Sequence, residues 1–207
     1  MKKWWYVFLF AVLIVIISFY YDGWVINQVP NLKNSLFDNI SMKLDIFGEI
    51  IIFILLTLLF FWKHEKRKWI IPLWITLLSS AVVSFILKII IQRPRPFQLG
   101  LISIDSLLNR ANFSTWNFSF PSFDTMFIFS AVPLLSRQFP KLKKVWIILA
   151  VIIAFSRVYL GLHFLSDVIA GGIIGYLIGI WVIRLEKQNK FGERYYRKFE
   201  RRFLGKK

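Results

Sequence analysis

The stretch Ser156-Arg157-Val158-Tyr159-Leu160-Gly161-Leu162-His163-Phe164-Leu165-Ser166-Asp167 places an arginine, a histidine and a carboxylate inside otherwise continuous apolar chain. Ionisable groups at membrane depth are costly and are seldom kept there without a function. His163 and Asp167 are four residues apart, which on a helix puts them on one face, one turn from each other. A carboxylate in that position holds the imidazole in one tautomer and raises its basicity. Arg157 offers a planar fork of donors suited to a phosphate. A basic imidazole, its orienting carboxylate and an anion clamp thus fall within twelve residues. The chemistry they suit is carried out on an anionic, phosphate-like group. The structural alternative is a polar cap at a helix end, with Arg157 snorkelling to the interface.

The elements that must position these groups are apolar. The chain has 207 residues, of which 57% are hydrophobic, too apolar for a soluble domain of this size. A net charge of +16 would ordinarily raise nucleic acid as a partner. Here the charge lies between apolar runs, so it reads as membrane topology and no nucleic acid is expected. There is no cysteine, which excludes disulfides and thiolate metal sites. One membrane domain over residues 1–207 is expected, with a basic tail over 184–207.

Six apolar runs are visible. Residues 4–21 follow Lys2 and Lys3 and lack a small-residue cleavage site, so they read as a retained first helix. Residues 22–45 read as a polar loop with a turn at Pro30 and Asn31. The second run, 46–62, carries Glu49 near its start. A basic turn at 63–68 leads to the third run, 69–91, with Lys88 near its end. Residues 92–121 form a longer loop containing Pro94, Pro96 and Pro121. The fourth run (122–136) is short and carries Asp124; the fifth and sixth are about 145–160 and 164–183. The expected fold is therefore all-α, a six-transmembrane-helix bundle.

Charge sorts by side. With the N-terminus cytoplasmic, the segments 1–3, 63–68, 137–144 and 184–207 carry two, four, four and ten Lys or Arg, 20 of the 27. This positive-inside asymmetry predicts six crossings with both termini in the cytoplasm. Lys88, Arg95, Ser122, Asp124, Arg157, His163 and Asp167 then converge on one outward-facing patch.

Lys88-x6-Arg95-Pro96, Pro121-Ser122 and Ser156-Arg157-x5-His163-x3-Asp167 together resemble the three-part signature of the type 2 phosphatidic acid phosphatase (PAP2) superfamily. That family is also related to vanadium haloperoxidases and acid phosphatases. The resemblance covers about residues 88–175, and the six-helix layout is similar to that of its membrane members. It implies that His163 attacks phosphorus to give a phospho-histidine, with Asp167 as its partner carboxylate. It implies that Lys88, Arg95, Ser122 and Arg157 bind the substrate phosphate. No Gly-rich nucleotide loop and no carboxylate cluster with metal-ligand spacing is visible, so neither a metal nor another cofactor is expected.

The second motif departs from the pattern. Where the family has Pro-Ser-Gly-His, this chain has Pro121-Ser122-Phe123-Asp124. The glycine normally lets a backbone N–H approach the phosphate at a helix N-terminus, which Phe123 allows less easily. The histidine normally protonates the leaving oxygen; His64, the other histidine, falls on the cytoplasmic side. Asp124 occupies the acid's position, but an ordinary Asp titrates near 4 and is ionised at neutral pH. An alkoxide leaving from a monoester needs a proton, whereas a phosphate leaving from a diphosphate has a pKa of about 6 and needs little help. General acid help is worth about 10²- to 10⁴-fold. The expectation is a membrane lipid phosphatase or diphosphatase acting best on a polyprenyl (undecaprenyl-like) diphosphate of the outer leaflet. The alternative is a catalytically inactive relative that binds or carries lipid phosphates with the same clamp.

Other features read structurally. Gly171, Gly175 and Gly179 recur every four residues and favour close packing within the bundle over dimerisation. Phe191, Tyr195, Phe199 and Phe203 recur likewise among Lys and Arg. They suggest either an amphipathic helix on the anionic cytoplasmic leaflet or a solvated basic tail that enforces topology. Arg93 could reach a second phosphate or loop carbonyls. Trp116 and Phe118 suit either a guard at the outer mouth or an interfacial aromatic belt.

Overall fold

The computed structural model describes residues 2–102 and 118–203, and these are helical with no strand among them. Seven α-helices follow in order: α1 (Lys2–Gln28), α2 (Ser35–Trp62), α3 (Ile70–Ile91), α4 (Phe123–Gln138), α5 (Lys143–Tyr159), α6 (Leu165–Asn189) and α7 (Phe191–Phe203). Short 3-10 turns join several of them. Trp116 lies outside the described residues.

The six apolar runs correspond to α1–α6, but two boundaries move. Residues 22–45 are not a loop. Helix α1 continues to Gln28, and α2 begins at Ser35, where the side chain of Asn34 accepts from the N–H of Leu36 at 3.0 Å. Asp22 does not break α1 because its carboxylate is satisfied by Arg93 and Ser166. The Pro30–Asn31 turn is a 3-10 turn, Val29–Leu32.

Length and composition identify three spans: Leu9–Leu32, His64–Ile91 and Leu165–Asn189. A fourth is α2, whose arms Ser35–Lys43 and Gly48–Trp62 are inclined by 65°. Helices α4 and α5 have 16 and 17 residues, short of the roughly 20 that a perpendicular crossing needs. The expected count of six spans thus becomes three to four by this measure.

Helix α4 is central. Leu134, Leu135, Ala131 and Phe127 pack with Leu56 and Phe60 of α2, Leu73 and Leu77 of α3, and Ile183 of α6. A second cluster joins Ile26 of α1 to Ala154, Val158, Val168 and Ile102. Three buried hydroxyls bond their own helix backbone: Thr76 to Pro72, Ser80 to Leu77 and Ser130 to Phe127, at 2.7–2.8 Å. The apolar residues on the outside, such as Phe10, Ile16, Leu78, Phe85, Ile148 and Val151, are exposed. This inside-out distribution suits a lipid surround.

The glycines of α6 set the closest contact. A Cβ on Gly175 would lie 2.2 Å from the carbonyl oxygen of Met126, and one on Gly179 at 2.2 Å from that of Ser130. Only glycine lets the α4 and α6 backbones meet, so the small-residue face packs within the bundle.

Candidate active site

The site lies where the ends of α3 and α5 meet the starts of α4 and α6. The turn after α5 aims His163. Gly161 sits at φ +73°, a conformation that costs other residues strain, and a Cβ there would be 2.5 Å from Ile102. The carbonyl of Arg157 accepts from the N–H groups of Leu162 and His163 at 3.1 and 3.3 Å. The turn is thereby closed and His163 is 1% exposed.

Asp167 stands behind the imidazole. Its Oδ2 is 3.8 Å from Nδ1 of His163, longer than a hydrogen bond. Ser119 fills the gap. Its hydroxyl donates to Asp167 Oδ2 at 2.5 Å, and the same oxygen is 3.4 Å from Nδ1. A hydroxyl whose proton is committed to the carboxylate can accept from Nδ1–H. That tautomer leaves Nε2 as a bare lone pair. The same Oδ2 accepts from the N–H of Phe164 at 2.8 Å, capping the first turn of α6.

Arg93 anchors this carboxylate. Its Nη1 donates to Asp167 Oδ1 at 2.7 Å and to the Ser166 hydroxyl at 2.6 Å, while Nη2 donates to Asp22 Oδ2 at 2.7 Å. Ser166 returns two bonds to Asp22, through its N–H at 2.8 Å and its hydroxyl at 2.5 Å. The guanidinium also lies over the Phe164 ring at 4.0 Å. Arg93 reaches this carboxylate pair because both Asp22 and Asp167 face the same buried gap between α1 and α6.

The expected anion-binding residues gather on the other side. Arg95 is 6% exposed and its Nη1 donates to the carbonyl of Leu162 at 3.2 Å, next to His163 in the chain. The Lys88 ammonium donates to the carbonyl of Phe118. Arg157, 1% exposed, places Nη1 at 3.5 Å from Asp124 Oδ2 and donates from Nε to Ser156 at 3.2 Å. Ser122 is adjacent, but its hydroxyl pairs with Thr125 at 3.1 Å and its N–H donates to the carbonyl of Asp167 at 3.1 Å. Its observed part is to tie the start of α4 to α6. Phe123 begins α4 and its ring packs on Phe127. Asp124 lies in that first turn, with Arg157 beside it.

Burial, then the positive charge of Arg95, lowers the pKa of His163 from 6.5 to about 3. The imidazole is therefore the free base across physiological pH. A neutral, tautomer-fixed imidazole beside three cations can attack an anionic phosphorus centre while the cations take up charge on its oxygens.

Sequence reasoning missed Asp22 and Ser119. Asp22 carried a usable signal, a lone carboxylate beside an apolar run. Ser119 carried none, since a serine in a loop is unremarkable until its neighbours are known.

All of this belongs to a helical membrane protein whose fold is shared with solved structures. The transmembrane PAP2-type phosphatidylglycerolphosphate phosphatase from Bacillus subtilis superposes with a TM-score of 0.66 at 21% identity, covering 92% of this chain and 99% of that one. Aquifex aeolicus LpxE superposes with a TM-score of 0.60 at 24% identity, covering 77% and 92%. By sequence, the chain is similar to an undecaprenyl-diphosphatase of Sulfolobus acidocaldarius, 28% identical over 163 residues, 77% of this chain and 73% of that protein. The PAP2 superfamily profile matches residues 68–191, and the chain belongs to that superfamily.

Proposed function

We propose that the protein is a membrane lipid phosphatase of PAP2 type that hydrolyses a polyprenyl diphosphate through a phospho-histidine. The observation that carries this reading is the convergence of buried His163 with Asp167 behind it and Lys88, Arg95 and Arg157 around it, drawn from three distant segments of chain. Similarity to an undecaprenyl-diphosphatase supports the diphosphate. So does leaving-group chemistry, because a departing phosphate needs far less protonation than an alkoxide.

In this reaction Nε2 of His163 attacks phosphorus in line. The electron pair of the breaking P–O bond leaves with the lipid phosphate. Water then cleaves the P–N bond and releases inorganic phosphate. Asp167, through Ser119, holds Nδ1–H. Lys88, Arg95 and Arg157 stabilise charge on the equatorial oxygens. The protein forms one domain with a basic tail, lies in the cell membrane with both termini cytoplasmic, and opens its site to the outer face; the positive-inside count supports this orientation.

The test is phosphate release by purified wild type and His163→Ala on a polyprenyl diphosphate from acid to neutral pH. Turnover by wild type and a loss of at least about 10³-fold in the variant are expected. Saturable lipid binding with no release at any pH would replace this reading by a non-catalytic lipid-phosphate binder. Monoester turnover equal to or faster than diphosphate turnover would remove the diphosphate preference.

A further inference from the structure

Helix α7 is fastened to the bundle along one stripe and leaves a space beside it. The N–H of Gly192 donates to buried Glu186 at 2.8 Å, and a Cβ on Gly192 would lie 2.4 Å from the carbonyl oxygen of Lys68. At the next two turns of that stripe, the Tyr196 hydroxyl and Glu200 Oε1 are each 3.1 Å from Nε2 of His64. The neighbouring stripe, Tyr195 and Phe199, forms one wall of a cavity of about 480 Å³. Thr57 and Phe61 of α2 and Ile71 and Trp74 of α3 form the facing wall. Small-molecule sites occupy about 300–1,000 Å³, so the space suits a ligand or one chain of a lipid.

The facing wall is apolar. The indole N–H of Trp74 donates to the Thr57 hydroxyl at 3.1 Å, and that hydroxyl donates to the carbonyl of Phe53 at 2.7 Å. These polar groups are thus satisfied by the protein, and the cavity offers carbon. Its walls also run on into the outer surface of the bundle. Phe61, Trp74 and Tyr195 are exposed, and so are Leu58 and Leu78, further along α2 and α3. An occupant arriving along the apolar surface of two spans is an acyl chain.

Charge selects the headgroup. Helix α7 carries Arg194, Arg197, Lys198, Arg201 and Arg202 against Glu193 and Glu200. Both carboxylates are engaged, Glu193 with Arg197 and Glu200 with His64. Lys198 and Arg202 follow Tyr195 and Phe199 by three residues, which places these cations along the edge of the apolar wall. Arg67 lines the cavity itself. Its Nε donates to the carbonyl of Phe61 at 2.9 Å, and its guanidinium lies 4.4 Å over the Phe61 ring. An apolar cavity bordered by cations fits an amphiphile with an anionic head.

We propose that this cavity binds one anionic phospholipid of the leaflet at the basic end of the bundle. One acyl chain lies between α2, α3 and α7, and the phosphate meets Arg67, Lys198 and Arg202. The site is separate from the hydrolysis proposed above: Lys88 lies toward the other end of α3, about 24 Å along the helix from Pro72.

The test uses the full-length chain purified in a neutral detergent and native mass spectrometry with added dioleoyl phosphatidylglycerol or dioleoyl phosphatidylcholine. One phosphatidylglycerol should be retained at least about tenfold more tightly than phosphatidylcholine. The double variant Lys198→Gln with Arg202→Gln should lose that preference, and Ile71→Trp, which fills the cavity, should weaken retention of both lipids. A second measurement needs no variant. Phosphatidylglycerol with a diazirine near the end of its acyl chain should label wild type within residues 57–74 and 195–199, and unlabelled phosphatidylglycerol should compete. Equal retention of the two lipids by wild type overturns the anionic site. Labelling spread evenly over the spans, or competed equally by phosphatidylcholine, overturns the cavity as its place. Retention of an acidic peptide or an oligonucleotide with no retention of phosphatidylglycerol replaces the lipid by a soluble polyanion and overturns the proposal.

Discussion

Ser119 and Arg93 stand behind His163, on the side of Asp167, and each can be tested by substitution. Ser119→Ala removes the oxygen between Nδ1 of His163 and Asp167, leaving those two 3.8 Å apart. We expect kcat to fall about tenfold with KM nearly unchanged, and Ser119→Thr to restore most of it, measured by steady-state phosphate release. Arg93→Ala leaves Asp22 and Asp167 buried and facing each other without their common cation. Breaking such a pair costs about 3–5 kcal/mol, so the thermal midpoint should drop by ten degrees or so, read by a melting curve in detergent. The imidazole adds a pH dependence. With its pKa lowered to about 3 by burial first and Arg95 second, His163 stays neutral in the folded chain. Unfolded, it takes up a proton near pH 6.5. Its contribution to stability is therefore complete above 6.5 and is lost as the pH falls from there toward 3. His163→Gln should flatten that part of the stability–pH curve, and the acid limb of kcat/KM should not fall at an ordinary histidine pKa.

At the scale of elements, α4 and α6 form the frame that joins the second and third signature segments. Ser122 and Asp124 start α4, Asp167 lies in the first turn of α6, and the N–H of Ser122 bonds the carbonyl of Asp167 at 3.1 Å. Their separation is set by Gly171, Gly175 and Gly179. A Cβ on Gly171 would meet the Ser122 carbonyl at 2.7 Å. Gly175→Ala should lower stability by about 1–3 kcal/mol and reduce kcat together with it, because the spreading of α4 from α6 moves Asp124 and Asp167 apart. Gly172→Ala is the control: its Cβ meets the Phe129 ring at an ordinary 3.7 Å, and both quantities should be unchanged.

At the scale of the molecule, the site occupies one end of the bundle and the basic turns the other. Helix α7 belongs to the second end. Its first N–H groups are capped by buried Glu186, which accepts from Gly192 at 2.8 Å, and Glu200 meets His64 at 3.1 Å. The tail is thus an ordered amphipathic helix, with Tyr195 and Phe199 exposed on one face and Arg194, Arg197, Arg201 and Arg202 clustered on another. The chain contains no cysteine, so single introduced thiols report sidedness cleanly. In intact cells, Leu99→Cys at the site end should react with an impermeant maleimide, and Lys141→Cys at the basic end should react only after the membrane is opened. The reverse pattern would invert the proposed orientation.

The sequence by itself determined the helical membrane class and the superfamily, because hydropathy and the spacing of Lys88, Arg95, Arg157, His163 and Asp167 are properties of the linear chain. It placed Gly175 and Gly179 on a packing face for the same reason. Tertiary structure decided what each ionisable group is paired with. Asp22 read as the start of a loop and is in fact the partner of Arg93, a helical carboxylate that only a contact 71 residues away makes tolerable. Arg93 pairs with two carboxylates, Asp22 and Asp167, from different helices. Ser119, across 48 residues from Asp167, joins it through packing alone. Charge pairing in an apolar interior depends on distance in space, and sequence separation carries no information about it.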